Sequence, residues 1–332
     1  MSLTQSMLEQ LVHFPVLLHP GDCTDKVCIV TGSNIGIGLE TAKHLVRCSA
    51  ARVILAVRNV KAGEEAKAEI EAATKRTGVV EVWRLDLASF ASVKSFAQRA
   101  ITELDRLDIL VENAAVYLDK WTISEGLETS VTVNVNSTML LGALLMPKLI
   151  ETGRAHGTNP RLTFVGSSLG FTANKELDKS TGETRLLDGL NDPKMASMDE
   201  RYAVTKLIET FAYRKFSENF PTDVTGVTVN MVNPGLCKTG LARDARTWTK
   251  FTLGSLRAAG ARSAESGSRA VLHAVTVKEE SHGKFLSGCE IKQHWIPQWM
   301  TSPQGQKLHD RIWSEVSAIL DKAPAGCLKL DL

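Results

Sequence analysis

Val27-Cys-Ile-Val30, followed without a break by Thr31-Gly-Ser-Asn-Ile-Gly-Ile-Gly38, decides the fold. Four apolar residues, mostly β-branched or aliphatic, read as a buried strand, and Ile37 to Cys48 carries the apolar spacing of a helix. Between them Gly32, Gly36 and Gly38 allow a turn in which backbone closely approaches a ligand. A glycine turn alone marks only a tight bend. Placed directly after a buried strand and opening a helix, it predicts a dinucleotide site, with the pyrophosphate held on the unpaired N–H groups of the helix start.

Working outward, short apolar strands alternate with amphipathic helices. Strands are expected at Arg52–Val57, Val79–Trp83, Asp108–Val111, Arg161–Val165 and Val227–Val232, with helices at Lys61–Lys75 and Ser89–Leu104. Continuous apolar strands separated by helices predict an α/β fold: one Rossmann-type, doubly wound parallel sheet with helices on both faces. The ligand cleft then lies at the carboxyl ends of the strands. With no repeat, low-complexity tract or linker, residues 26–332 read as one nucleotide-binding catalytic domain, preceded by an arm or helix over 1–25. The polar, turn-rich stretch 171–199 is expected to be a flap over the cleft, and 238–262 a substrate lid.

Composition narrows the function. A formal charge of +2 over 332 residues provides no broad basic field for nucleic acid. The six cysteines are scattered, without CxxC pairs or histidines at zinc-ligand spacing, so no metal is expected and reduced thiols in the cytoplasm are the simplest reading. The apolar run Leu11–Leu18 is interrupted by Pro15, is too short to span a bilayer and lacks the layout of a signal peptide. Thr138–Leu145 could pack a homodimer bundle or only its own sheet.

Two further features point to redox chemistry with a nicotinamide. At the end of the second strand stands Arg58, where an acidic residue would grip a ribose 2′-hydroxyl and an arginine accommodates a 2′-phosphate, so NADP(H) is expected over NAD(H). In Tyr202-Ala-Val-Thr-Lys206 a phenol and an ammonium share one helix face. A free phenol titrates near pH ~10, and an ammonium about 4 Å away supplies roughly 4 kcal/mol toward the phenolate at an effective dielectric near 20. The pair therefore predicts an acid–base tyrosine with a lowered pKa.

Together with Arg58-Asn59, Asp86-Leu87, Asn113-Ala-Ala115 and Asn233-Pro-Gly-Leu-Cys-Lys-Thr239, these stretches resemble the short-chain dehydrogenase/reductase family over roughly Lys26 to Leu286. More narrowly they are similar to its fungal, retinol-dehydrogenase-like branch, many members of which serve secondary metabolism. The resemblance implies that Gly32, Ser33, Asn34, Ile35, Gly36, Ile37 and Gly38 cradle the pyrophosphate. Arg58 and Asn59 would meet the 2′-phosphate, and Asp86 and Leu87 the adenine. Asn113, Ala114 and Ala115 would border the cleft, and Pro234, Gly235 and Thr239 the nicotinamide end. Tyr202 would be the acid–base group, and Lys206 would bind the ribose and tune Tyr202. Ser167 would orient the substrate, with Ser168 its neighbour and rival. Asn134 would hold a water linked to the lysine, with Asn136 a weaker occupant of that role. Glu112 and Ala115 depart from the family's usual asparagine and glycine, and Gly166 from its serine.

The expectation is an NADPH-dependent reductase interconverting a ketone or aldehyde, on an apolar small molecule, with its alcohol. Two other classes use the same scaffold: an imine reductase or cyclase that keeps NADP(H) bound, and a cofactor-sensing protein without turnover. The intact Ser, Tyr, Lys and Asn set favours redox. Phe171, Met195, Met198, Leu241 and Trp248 are candidates for an apolar substrate wall, while Trp295, Trp299 and Trp313 line the pocket or belong to the core.

Overall fold

The computed structural model describes residue 10 and residues 12–180, 185–194, 196–241 and 261–321. Strands β1 (Val27–Thr31), β2 (Arg52–Val57), β3 (Val80–Arg84) and β4 (Ile109–Glu112) alternate with helices α1 (Gly36–Arg47), α2 (Val60–Thr74) and α3 (Phe90–Glu103). A small hairpin, β5 (Ile123–Ser124) and β6 (Leu127–Glu128), leads into a π-helical segment, Thr132–Ser137, and helix α4 (Thr138–His156). Then follow β7 (Arg161–Val165), α5 (Met198–Asn219), β8 (Thr228–Asn233), α6 (Ala264–Thr276), β9 (Phe285–Ser287), β10 (Glu290–Ile291) and α7 (Pro303–Leu320).

The eight-stranded sheet runs β10-β9-β8-β7-β4-β1-β2-β3, parallel throughout except for the β9–β10 pair. From β1 the chain winds outward through β2 and β3, then returns to β4 and winds the other way. That reversal opens a crevice at the carboxyl ends of β1 and β4. Alternation along each strand sorts the core into two layers. Val27, Ile29, Ile54, Leu110 and Phe164 face one layer with α3, α4, α5 and α7. Cys28, Val30, Val53, Leu55 and Val111 face the other with α1, α2 and α6. Burying each such large apolar side chain contributes about 1.5–3 kcal/mol.

Helix starts are set by short polar caps: Asn59 accepts from the Ala62 N–H, Ser89 from Ser92, Ser263 from Ser266 and Ser302 from Gly305. Each such cap is worth about 1 kcal/mol.

Several expectations change. The sheet carries a further parallel strand, β9, and an antiparallel edge, β10, three and two residues long. Of the expected flap 171–199, residues 181–184 and 195 lie outside the described residues. Its described residues include two short helices, Asn174–Ser180 and Leu186–Leu190, whose Leu177, Leu186, Leu187 and Leu190 join the core. The carboxylate of Glu315 on α7 accepts from the Leu186 and Leu187 N–H groups and anchors the second helix. Phe171 is buried against Phe285, and Trp295 is buried in the core with Trp299 and Trp313 packed on it. The expected lid, 238–262, lies mostly outside the described residues, as do Met195 and Trp248. Its ends are pinned together, Lys238 N–H to Arg262 O and Arg262 N–H to Leu236 O.

Thr138–Leu145 is almost wholly buried within its own chain, so it packs its own sheet. The helical run Thr129–His156 has the length and apolar composition of a membrane span, and its most apolar window is 89% buried inside the protein. Before β1, Phe14 is fully buried and Leu18 nearly so. Arg262 stacks on the Phe14 ring at 3.8 Å and donates to Gln10 Oε1 and Val12 O, while Arg269 donates to Phe14 O.

Candidate active site

The turn after β1 is shaped for close backbone approach. Gly32 and Gly36 have φ of +63° and +64°, in the left-handed region. A Cβ at Gly38 would lie 2.5 Å from Asn113 Nδ2 and 2.8 Å from Gly32 O, so nothing larger than glycine fits. Ser33 closes the turn by donating to Val30 O. Asn113 braces it from β4, its amide donating to Thr31 O, while the N–H groups of Asn113 and Ala114 donate to Thr31 Oγ1. Ile35 precedes α1 with no side-chain cap and the first helical turn holds no carboxylate, leaving N–H groups for an anion. Thr239 sits over the turn, its Cβ 3.4 Å from where a Gly36 Cβ would be. Asn34 and Ile37 are half-buried at the same rim, and Ile35 is exposed. These features fit a dinucleotide pyrophosphate.

Arg58 is exposed at the end of β2. It lies two residues beyond Ala56, whose carbonyl accepts from the Gly32 N–H. Asn59 caps α2 with its side chain. Asp86 accepts from the Ala88 N–H, and Leu87 is turned into the core. Ala115 is half-buried beyond Ala114, and Pro234 is buried. Gly235, with φ of +77°, abuts Arg262 and Gln10, which brings the N-terminal arm to the loop after β8. Among the described residues no cluster of His, Cys, Asp or Glu could hold a metal ion.

Across the crevice, Tyr202 and Lys206 lie in the first half of α5. Ser167 stands beside the Tyr202 phenol and favours its ionised form. The Ser168 N–H donates to Asn233 Oδ1, and Ser167 Oγ accepts from the Leu169 N–H. Two glycines make room. A Cβ at Gly166 would meet Met231 Sδ at 2.7 Å, which is why no serine stands there, and one at Gly170 would meet Leu207 N at 2.7 Å. The Gly170 contact lets the turn Ser168–Thr172 lie directly on α5.

Asn134 lies in the π-helical segment. Its Oδ1 accepts from Val116 N–H and its Nδ2 donates to Val116 O and Thr205 Oγ1, so both amide hydrogens are engaged. The side chain clamps the loop after β4 to α5, with no donor left for a relay. A π-bulge shifts the backbone ladder by one residue, which delivers Asn134 to this position. Asn136, two residues on, is buried with neither amide atom hydrogen-bonded.

The electrostatics differ from the expectation of a lowered phenol pKa. Burial pushes Tyr202 above its ordinary value; Lys206 and Ser167 pull the other way, and Glu209 adds to the rise. Burial is the largest cause, and Lys206, the chief opposing group, does not act alone. Its ammonium donates to Val165 O at 2.9 Å and sits 2.7 Å from Glu209 Oε2, with both side chains buried. Burial works against the Lys206 charge, but Glu209 and Tyr202 together outweigh it and hold the ammonium above its ordinary pKa. Burial likewise pushes the Glu112 carboxyl well above the usual carboxylate range, with Thr31 opposing and Glu209 reinforcing.

Sequence reasoning missed two neighbours. Tyr117 lies with its ring 5.4 Å from that of Tyr202 and donates to Asp199 O. Glu209, at i+3 from Lys206, was visible in sequence, but its burial was not.

A glycine-lined anion cradle facing a Ser–Tyr–Lys set on a doubly wound sheet defines a dinucleotide-binding α/β protein. Comparison with known proteins names the group: residues 26–177 match the family model for short chain dehydrogenases. The chain is 40% identical over 322 residues to the short chain dehydrogenase/reductase dmxR8 of Cryptosporiopsis sp. (strain 8999), covering 94% of this chain and 96% of that one. It is 43% identical over 267 residues to the short chain dehydrogenase atnD of Emericella nidulans, covering 79% and 83%. In fold it is similar to a short chain dehydrogenase from Shigella flexneri solved in complex with NADP, with a TM-score of 0.59, 21% identity, and coverage of 81% of this chain and 100% of that one. The chain belongs to the short-chain dehydrogenase/reductase family.

Proposed function

We propose that this protein is an NADPH-dependent reductase that converts a ketone or aldehyde to its alcohol, with Tyr202 as the proton donor. The observation that carries the reading is the Tyr202 phenol flanked by Ser167 and the buried Lys206 ammonium, opposite the glycine turn. The turn Gly32–Gly38 would hold the pyrophosphate and Arg58 the 2′-phosphate, with no carboxylate there to repel it. Lys206 would bind the nicotinamide ribose through an N–H that Val165 O leaves open. When bound, the nicotinamide supplies two electrons to the carbonyl carbon as hydride.

The protein's own groups do the rest. The Ser167 hydroxyl donates to the carbonyl oxygen and fixes it against Tyr202, where negative charge develops. The Tyr202 O–H bond breaks and its proton goes to that oxygen. A phenol kept above its ordinary pKa is fully protonated at neutral pH, as an acid must be. Asn134 acts as a positioning residue, tying the loop after β4 to the helix that carries Tyr202. Exposed Leu169, two residues beyond Ser167, supports an apolar substrate.

The test is stoichiometry. In a screen of apolar ketones and aldehydes, loss of reduced-nicotinamide absorbance should match alcohol formed, one for one. Product formation without cofactor oxidation would refute the reading.

A further inference from the structure

The arm before β1 has no part in the Ser, Tyr, Lys and Asn set, yet it is built into the wall of the cofactor crevice. Phe14 is fully buried, and Arg262, only 7% exposed, stacks its guanidinium on that ring at 3.8 Å. A guanidinium so far from water is costly unless its N–H groups find acceptors. The arm supplies two: Arg262 donates to Gln10 Oε1 at 3.1 Å and to Val12 O at 2.9 Å. Arg269 on α6 grips the same stretch, donating to Phe14 O at 2.8 Å while the Glu265 carboxylate holds its fork.

Arg262 is equally tied to the loop after β8. Its N–H donates to Leu236 O at 2.9 Å and its carbonyl accepts from the Lys238 N–H at 2.8 Å, a parallel bridge centred on Cys237. Gly235, at φ +77°, turns its open side to the same clamp: a Cβ there would meet Arg262 Nη1 at 2.8 Å and Gln10 Nε2 at 2.9 Å. The other end of this loop lies on the glycine turn. A Cβ at Gly240 would lie 2.8 Å from Ile35 Cδ1, and Thr239 stands over Gly36. Residues 234–241 thus form a strap across the pyrophosphate cradle, and Arg262 fastens that strap to the arm.

We propose that Arg262 and Phe14 are positioning residues of the cofactor site: through their stack the N-terminal arm holds strap 234–241 against the glycine turn and sets how tightly the nicotinamide half of the dinucleotide is kept. The inference rests on the dinucleotide lying along that turn. A loop that must be ordered when its ligand arrives lowers affinity, and one held in place beforehand does not. The strap contains two glycines, Gly235 and Gly240, and no regular element, so its order comes from what it is fastened to. Arginine suits the task because its planar fork stacks on a ring and donates to acceptors at once.

The test is calorimetric titration of the intact chain with NADP+ and with adenosine 2′,5′-bisphosphate, which carries the adenosine half and no nicotinamide. Arg262→Met keeps an apolar stem and loses both the stack and the donors. It should weaken NADP+ binding about tenfold (~1.4 kcal/mol) and leave the bisphosphate within about twofold (~0.4 kcal/mol) of wild type. Phe14→Leu keeps the arm apolar and removes the ring; it should reproduce the same split, and it serves where the methionine variant does not fold. A merely structural clamp would lower the melting temperature and affect the two ligands alike. Equal losses for both ligands, or no loss for either, overturn the proposal and leave the glycine turn standing as the dinucleotide site. A wild-type protein that binds neither ligand overturns that reading and the proposal with it.

Discussion

Gly170→Ala is the sharpest mechanical test of the site. Gly170 has a φ that any residue can adopt, so the substitution strains no local backbone; its effect comes from contact alone. The new Cβ would lie 2.7 Å from Leu207 N and 2.9 Å from Lys206 C, both backbone atoms of α5. Carbon contacts settle near ~3.5 Å, so the turn and the helix must part by about 0.8 Å. Ser167 is three residues before Gly170 and Tyr202 is four before Lys206, so that separation falls between the two reacting side chains. A misplacement of about 1 Å costs up to ~10²-fold in rate, and the expected loss in kcat is about 10- to 100-fold. Overpacking of this kind costs about 1–3 kcal/mol, which for a chain of this size lowers the melting temperature by roughly 2–10 °C. NADPH affinity, set at the other side of the crevice, should change less than threefold (~0.6 kcal/mol). Steady-state kinetics on the best carbonyl substrate, calorimetry and fluorescence titration with NADPH read the three quantities. A variant with wild-type kcat would show that the contact of the turn with α5 does not position the reacting groups.

Three further outcomes follow from named residues. Arg58→Asp replaces an exposed guanidinium at the end of β2 with a carboxylate that repels a 2′-phosphate, so the ratio of kcat/KM for NADPH over NADH should invert; an unchanged ratio removes Arg58 from the cofactor site. Gly38→Ala drives a Cβ to within 2.5 Å of Asn113 Nδ2, and NADPH binding measured by fluorescence should weaken at least about 30-fold (~2 kcal/mol). Glu112→Gln tests the buried acid through stability. The folded-state pKa of Glu112 is raised, so the folded protein retains a proton that the unfolded chain releases. Wild-type stability from this group is therefore full below about pH 4.5 and is lost as pH rises toward the folded value, at about 1.4 kcal/mol per pH unit. Melting temperatures of wild type and Glu112→Gln should diverge in favour of glutamine as pH rises from 4.5; parallel curves would show that Glu112 titrates normally.

Much of the fold was legible because its signals are local. The helix expected at Lys61–Lys75 runs Val60–Thr74, and the one at Ser89–Leu104 runs Phe90–Glu103, each beginning after a capping side chain that the sequence displays. Apolar runs such as Arg161–Val165 coincide with their strand because both sheet faces are covered. Strands β9 and β10 escaped because three and two residues carry no periodicity. The helices at Asn174–Ser180 and Leu186–Leu190 escaped for a related reason: about two turns or fewer are held by tertiary contacts, here with Glu315, rather than by a pattern of their own. In the site, spacing placed Tyr202 and Lys206 on one face of α5, whereas the sign of the phenol shift depended on burial and on Glu209. Those are properties of the assembled core. Asn134 shows the same limit, since its amide partners, Val116 and Thr205, lie on other segments.

Tyr202→Phe probes the account most directly. It deletes one hydroxyl and leaves the ring, the glycine turn and Arg58 in place. With saturating NADPH and the best carbonyl substrate, kcat should fall by about 10³-fold or more, while the NADPH dissociation constant stays within about twofold (~0.4 kcal/mol) of wild type. A phenylalanine enzyme that turns over at a rate comparable to wild type would mean that the proton comes from elsewhere.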